Sequence, residues 1–139
     1  MTTVTSTAEL PVAPERVWPV LAGPAELGRW QTTHLGYQGA EPAAFTDGTT
    51  FTQKVRVMGM PAEVTWTVAE VAENARLAMT GRGPMGITLR SSYEVEPTDS
   101  GSTVRLSQQV QGTAVAGPLE RELRSTQEQS LARLRDAVG

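Results

Sequence analysis

The sequence predicts an α+β fold in which a curved antiparallel sheet of seven strands wraps around one long C-terminal helix, with two short helices after the first strand. Three observations predict this arrangement. Segments with hydrophobic residues at every second position dominate the chain, most of the turns between them are too short for crossover helices, and the only long helical pattern comes last. A sheet with one apolar face needs such a helix as its cover.

One strand and two short helices are predicted first. Between residues 3 and 10, small or apolar residues alternate with Thr and Glu, which is typical of a strand. The segment Ala13-Pro14-Glu15-Arg16-Val17-Trp18 then begins a helix, because Pro is favoured at the first helical position and an acid in the first turn. Pro19 removes a backbone donor, so this helix is expected to be short or kinked. Gly23-Pro24 ends it and starts a second short helix through Trp30.

Six further strands are predicted before the last helix. They are His34–Gly39, Thr49–Met58, Ala62–Val71, Arg76–Gly81, Ile87–Glu96 and Thr103–Gln111. Turn residues separate them at Asp47-Gly48, Gly59-Met60-Pro61, Glu73-Asn74, Gly83-Pro84-Met85-Gly86 and Pro97-Thr98-Asp99-Ser100-Gly101. Because most of these gaps are short, consecutive strands are expected to pair as antiparallel hairpins.

The last element is a helix that begins at Gly117-Pro118. One of its faces carries Leu119, Leu123, Leu131, Leu134 and Val138. Only this helix is long enough to cover the apolar face of a seven-stranded sheet, which gives the helix-grip arrangement. A lipocalin-like barrel is the competing architecture, but it does not place two helices after the first strand.

Composition narrows the class of protein. The chain has 139 residues, no cysteine and a net charge of −3, so we treat residues 1–139 as one domain without disulfides or thiolate chemistry. The mixed, mildly acidic charge argues against nucleic acid as a partner. No signal-peptide pattern opens the chain and no segment is apolar over the length of a membrane span, so a cytoplasmic location is expected. The only histidine, His34, is interpreted as a surface or packed residue, and neither a metal nor a cofactor is predicted.

Strand alternation assigns one face of the sheet to the interior. Its apolar members are Phe51, Val55, Val57, Val64, Trp66, Val68, Leu77, Met79, Ile87, Leu89, Tyr93, Val95, Val104, Leu106 and Val110. Gln53, Ser91 and Gln108 interrupt this face, and Thr126, Gln127 and Ser130 interrupt the leucine stripe of the helix. Such residues either bond to one another or to an ordered water in a filled core, or act as the few polar groups of a ligand cavity.

Several short motifs resemble the SRPBCC superfamily, which comprises START lipid-transfer domains, polyketide cyclases and dehydrases, and birch-pollen-allergen-like proteins. The motifs are Ala13–Trp18, Leu27–Trp30, Gly59-Met60-Pro61 with Val64 and Trp66, Gly81-Arg82-Gly83-Pro84, and Gly117-Pro118. They look most similar to small actinobacterial members, a branch that includes toxins of toxin–antitoxin pairs. The resemblance covers nearly the whole chain and supports the fold more than any activity.

The resemblance implies that the protein binds or transports a hydrophobic small molecule, lipid-like or polyketide-like, in an internal cavity. The residues predicted to bind it are Gln53, Val55, Trp66, Leu89, Ser91, Tyr93, Leu106, Gln108, Leu123, Thr126, Gln127 and Ser130. One alternative is a polyketide cyclase or dehydratase, in which Tyr93 donates its hydroxyl to a bound carbonyl, although no catalytic residue is assigned. Another alternative is a toxin-like regulator that acts through a protein partner.

The methionine-containing hairpin tips form a last feature of the sequence. In a meander of seven strands, Met58-Gly59-Met60-Pro61 and Gly83-Pro84-Met85-Gly86 fall at the same end of the sheet. Flexible thioethers suit an adaptable lip around an opening, or a contact surface for a partner or membrane. The alternative is two ordinary turns with their methionines packed against the short helices.

Overall fold

The computed structural model describes residues 2–112 and 117–139 of the chain. The strands in these ranges are β1 (Thr2–Leu10), β2 (His34–Gln38), β3 (Thr50–Val57), β4 (Met60–Ala72), β5 (Arg76–Arg82), β6 (Thr88–Thr98) and β7 (Gly101–Gln111). The α-helices are α1 (Pro14–Leu21), α2 (Leu27–Trp30) and α3 (Gly117–Val138), with short 3₁₀ turns at Pro24–Glu26 and Pro84–Gly86.

The strands form a single antiparallel sheet in the order β1-β7-β6-β5-β4-β3-β2. Strands β1 and β2 are neighbours along the chain but lie at opposite edges, so α1 and α2 connect one edge to the other. The sheet curls around α3 as a half-barrel, and α3 packs against β1, β7, α1 and α2. The predicted helix-grip fold is therefore confirmed.

Alternation along the strands and the helical repeat of α3 place the core between sheet and helix. Phe51, Gln53 and Val55 of β3 are buried, whereas Lys54 and Arg56 between and beyond them are exposed. On α3 the buried set is Gln127, Ser130, Leu131, Leu134 and Val138. Full burial of a leucine contributes about 1.5–3 kcal/mol, so Leu131 and Leu134 make a large contribution to the docking of α3.

Helix α1 is short, as Pro19 predicts. It spans eight residues, buries Val17 and Leu21, and turns Pro19 to the exposed side. The indole Nε1 of Trp30 donates a 3.0 Å hydrogen bond to the carbonyl oxygen of Val20. This bond holds the end of α2 against α1.

The predicted turns at Gly59-Met60-Pro61 and Pro97–Gly101 are wrong by a few residues. The β3–β4 turn is Met58-Gly59 and the β6–β7 turn is Asp99-Ser100, so both prolines lie within strands. The strands tolerate these prolines because β5 is short. It pairs only with Thr65–Ala72 of β4 and Thr88–Glu94 of β6. Pro61 and Pro97 lie beyond it, where a missing N–H breaks no bond to β5.

Within the described ranges, no helix combines the length and the apolar character needed to cross a bilayer.

Candidate functional site

A cavity of about 160 Å³ lies between the inner face of the sheet and α3. Most of its wall is apolar, and the remainder comes from a small set of Gln, Ser, Thr and Tyr side chains. The lining residues are Trp30, Gln31, Thr33, Gln53, Val55, Val57, Ala62, Val64, Trp66, Gly83, Pro84, Ile87, Leu89, Ser91, Tyr93, Leu106, Gln108, Val110, Leu119, Leu123, Thr126, Gln127 and Ser130.

All twelve residues that the sequence predicts as ligand-binding line this cavity. Whether they bind a ligand stays a prediction. Sequence reasoning missed Gln31 and Thr33, which follow α2 in a connection without hydrophobic periodicity. Trp30 at the end of α2 also contributes to the cavity wall, although it was not among the residues predicted to bind a ligand.

A continuous chain of hydrogen bonds runs along the deep wall of the cavity. Trp66 Nε1 donates to Gln53 Oε1 at 3.0 Å, and Gln53 Nε2 donates to Gln31 Oε1 at 2.6 Å. Gln31 Nε2 then donates to the Tyr93 hydroxyl at 2.9 Å. Residues from β3, β4, β6 and the α2–β2 connection are thus joined in one network.

His34 joins this network through Gln53. Its Nδ1 lies 2.8 Å from Gln53 Nε2, which can only donate, so Nδ1 accepts and the imidazole is neutral. Burial lowers the pKa of His34 below 6.5, and the charge of Glu41 opposes this shift. Both protons of the Gln53 amide are therefore used within the protein, and Gln53 positions its neighbours.

Tyr93 is held from two sides at the far end of the network. Its ring and the ring of Trp30 pack edge to face, with the ring centroids 5.4 Å apart and the ring planes at 84°. Burial raises the pKa of the Tyr93 hydroxyl above 10, while hydrogen bonds with Ser91 and Gln31 oppose the rise. The phenol is consequently protonated at neutral pH and can act as a hydrogen-bond donor.

Gln127 of α3 organises a second polar network, which includes residues of β1 and β7. Its Oε1 accepts a 2.7 Å hydrogen bond from Ser6 Oγ, and its Nε2 donates to the carbonyl oxygen of Val4 at 2.9 Å. The same Nε2 donates to Gln108 Oε1 at 3.2 Å. Gln127 thereby ties α3 to β1 and β7 and fixes the amide of Gln108.

Thr32 links α3 to the α2–β2 connection. Its backbone N–H donates to Ser130 Oγ at 3.1 Å, and its Oγ1 lies 3.4 Å from the Thr126 carbonyl oxygen, to which it donates. Thr126 Oγ1 in turn donates to the Leu123 carbonyl oxygen at 3.1 Å. The polar residues of the helical stripe therefore bond largely to the protein, as the filled-core interpretation expected, although a cavity is also present.

Three exposed methionines stand at the end of the sheet where the cavity wall reaches Pro84 and Leu119. The exposed fractions are 52% for Met58, 66% for Met60 and 88% for Met85. We call these three residues the Met lip. They are not packed against the short helices, so the alternative interpretation of the hairpin tips is wrong.

The Met lip is connected to α3 and carries two unusual backbone conformations. The backbone N–H of Met58 donates to a carboxylate oxygen of Glu122 at 2.6 Å. Met58 has φ of 53° and Met85 has φ of 60°, a region that few side chains other than Asn and Asp adopt readily. The two tips thus hold their methionines outward at a conformational cost.

The lining residues include one ionisable side chain, that of Tyr93. Across the part of the chain that the structure describes, no group of three His, Asp or Glu residues is placed to hold a metal ion. The cavity can therefore enclose an apolar molecule and offer it neutral hydrogen-bonding groups.

The chain is similar in sequence or in fold to several known proteins. The uncharacterized protein Rv1546 of Mycobacterium tuberculosis is 31% identical over 143 residues, which cover 100% of both chains. Toxin Rv0910 of the same species is 25% identical over 119 residues, or 86% of this chain and 83% of that protein. A START superfamily protein from Mycobacterium smegmatis superposes with a TM-score of 0.76 at 14% identity, covering 98% of this chain and 96% of the other.

A family model covers the chain from end to end. The model described as "Polyketide cyclase / dehydrase and lipid transport" matches residues 1–139. The helix-grip architecture and the 31% identity to Rv1546 over the full length of both chains agree with it. The protein belongs to the polyketide cyclase/dehydrase and lipid transport family.

Proposed function

We propose that the protein binds and carries a hydrophobic small molecule, lipid-like or polyketide-like, in the cavity between the sheet and α3. The observation that carries this proposal is an apolar wall interrupted by a few fixed polar groups, which is the usual composition of a ligand site. Membership of a family that includes lipid transport supports the same function.

Cavity volume limits what can be enclosed. An apolar cavity of about 150 Å³ accommodates a benzene-sized molecule, and the present one measures about 160 Å³. The occupant is therefore a small aromatic or short-chain molecule, or one end of a longer molecule. The remainder of a longer ligand would leave past Pro84 and the Met lip.

The same wall offers less to a cyclase or dehydratase. Tyr93 could act as a general acid, but the lining residues that the structure describes include no Asp, Glu, His or Lys to act as a base. Binding without turnover is therefore the function that the lining favours. Similarity to Toxin Rv0910 is the support for a regulatory role through a protein partner, and it rests on sequence identity alone.

Binding can be tested with the neutral fluorophore N-phenyl-1-naphthylamine, which accepts excitation energy from tryptophan. It is longer than the cavity, so it tests the case in which one end of the ligand is enclosed and the rest leaves past the Met lip. Trp30 and Trp66 line the cavity, so saturable energy transfer is expected on titration. Leu89→Trp fills the cavity and should weaken binding at least tenfold, whereas Arg90→Trp on the exposed face of the same strand should bind as the natural protein does.

A second cavity-filling variant, Leu123→Trp on α3, covers the case in which Leu89→Trp does not fold. Absence of saturable binding to the natural protein would overturn the proposal. Equal binding by the filled variants and by Arg90→Trp would overturn it as well, because the probe would then bind elsewhere.

A further inference from the structure

Resting on the proposed function, we infer that the ligand is an uncharged molecule whose carbonyl-type acceptors bind two fixed donors of the cavity wall, the Tyr93 hydroxyl and the Gln108 amide. Two separate hydrogen-bond networks set the direction of these donors, which lie on the neighbouring strands β6 and β7. The lining residues within the described ranges supply no charge to pair with an ionised ligand.

The first network has one possible direction because it begins at Trp66. An indole N–H can only donate, so the oxygen of the Gln53 amide must face it. The nitrogen of Gln53 then faces Gln31 Oε1, and the nitrogen of Gln31 faces Tyr93. The indole therefore fixes the orientation of the Gln53 amide, and the Gln53 amide fixes that of Gln31.

The Tyr93 hydroxyl oxygen therefore accepts a hydrogen bond from Gln31 Nε2, and the hydroxyl keeps its own proton to donate. Ser91 lies two residues away on the same strand and contacts the phenol. A hydrogen bond that lowers the pKa of a phenol is one that its oxygen accepts, so Ser91 donates to Tyr93 as Gln31 does. The Tyr93 proton is therefore left to donate into the cavity at this wall.

The second network begins at a group that can only accept. The carbonyl oxygen of Val4 requires the nitrogen of the Gln127 amide to face it. That nitrogen also donates to Gln108, so Gln108 accepts through its oxygen. Its NH₂ group makes no hydrogen bond to any residue that the structure describes, and the side chain lines the cavity. A second donor is thus presented on β7, next to the strand that carries the first, because Gln108 pairs with Ser91 and Leu106 pairs with Tyr93.

The uncharged lining also favours neutral ligands over ionised ones. The described lining contains no Asp, Glu, Lys, Arg or His. The connection at residues 113–116 reads Thr-Ala-Val-Ala and has no ionisable side chain either. A carboxylate or ammonium in the cavity would be desolvated without a partner of opposite charge, which is strongly unfavourable. Ketones, esters and lactones satisfy the donors without this penalty.

Three compounds of similar shape test the inference by displacing N-phenyl-1-naphthylamine. They are 2-acetylnaphthalene, 2-isopropenylnaphthalene, in which CH₂ replaces the carbonyl oxygen, and 2-naphthoate at neutral pH. One neutral hydrogen bond contributes about 0.5–1.5 kcal/mol, so the ketone should bind roughly 2- to 12-fold more tightly than the alkene. The carboxylate should bind at least tenfold more weakly than the ketone.

Variants assign the preference to the two donors. Tyr93→Phe and Gln108→Leu should each reduce the ratio of ketone to alkene affinity, and the double variant should bring it to about one. Alkene affinity should change less than ketone affinity in all three variants. Arg90→Gln on the exposed face provides the matched control, with the ratio of the natural protein.

The outcomes separate this inference from the proposed function. If the fluorophore does not bind at all, the proposed function itself is wrong. If the fluorophore binds but the ketone and the alkene compete equally, or 2-naphthoate competes best, only the acceptor inference is overturned. An unchanged ratio in the double variant would overturn it too.

Discussion

Trp66 packs directly onto the backbone of Gly81 in the neighbouring strand. A Cβ atom at Gly81 would lie 2.6 Å from Trp66 Cε3 and 2.8 Å from Cζ3, closer than van der Waals contact allows. The two residues are paired across β4 and β5. The absence of a side chain at position 81 therefore sets the position of the indole, and with it the start of the hydrogen-bond network that ends at Tyr93.

Gly81→Ala is expected to displace the indole and destabilise the protein. Overpacking of this kind costs about 1–3 kcal/mol, and the shift should also lengthen the bond from Trp66 to Gln53. Urea unfolding gives the free energy, and tryptophan emission reports the changed environment. Gly83→Ala is the control, since a Cβ there would lie 3.7 Å from Leu89 Cδ1 in ordinary contact. Equal stability of the two variants would contradict the explanation.

Gln53→Leu is expected to destabilise the protein although it replaces a buried polar residue with an apolar one of similar size. The change removes the partner of Trp66 Nε1 and of Gln31 Oε1. Each buried group left unsatisfied costs about 1–3 kcal/mol, so a loss of about 2–6 kcal/mol is expected in urea unfolding. Thr52→Val on the outer face should stay within about 0.5–1 kcal/mol. A stabilised Gln53→Leu variant would show that the network contributes nothing.

The sequence was sufficient to predict the fold and the cavity wall because both depend on local periodicity. Two-residue alternation decides which side of a strand faces inward, and the helical repeat does the same for α3. Leu89, Tyr93 and Leu123 could therefore be assigned to one enclosed surface without coordinates. Pairing between strands adds only the register, which the short turns already restrict.

Periodicity could not reveal what Gln31 does. This residue follows α2 in an irregular connection, and it meets Gln53 and Tyr93 only because the fold brings together positions 22 and 62 residues apart in sequence. For the same reason, the polar residues of the inward face were predicted as ligand contacts, whereas the amide protons of Gln53 and Gln127 bond to the protein. Direction in a hydrogen-bond network is a tertiary property.

Stability is expected to fall as the pH decreases through the ordinary pKa of histidine. Burial lowers the pKa of His34 in the folded state below its unfolded value of 6.5. Below that pH the unfolded chain binds a proton that the folded chain resists, so unfolding becomes easier by up to about 1.4 kcal/mol per pH unit. The free energy of unfolding stops falling at the pH where His34 of the folded state also becomes protonated.

Urea unfolding between about pH 8 and about pH 5.5 measures this effect, since histidine alone among unperturbed side chains titrates there. His34→Asn is the comparison variant, because its side-chain oxygen can still accept from Gln53 Nε2 but does not titrate. The groups near His34 are Glu41, whose charge opposes the shift, and Tyr37, whose ring centroid lies 5.1 Å away. A difference between the two proteins that stays constant with pH would contradict the assignment.

Met58→Asn is expected to stabilise the protein, which is unusual for removal of a natural residue. Met58 and Gly59 form a two-residue turn with φ of 53° and 76°, and Asn-Gly is the preferred pair for such a turn. Relief of the unfavourable backbone conformation should raise the free energy of unfolding by about 0.5–1 kcal/mol. The bond from the Met58 backbone to Glu122 is retained, because it involves no side-chain atom of residue 58.

Met60→Asn, in the adjoining strand, is the control. It removes another member of the Met lip and should give no gain in stability, since Asn is unfavourable in strands. If both variants were stabilised equally, exposed thioether surface and not the turn would be the source of the gain.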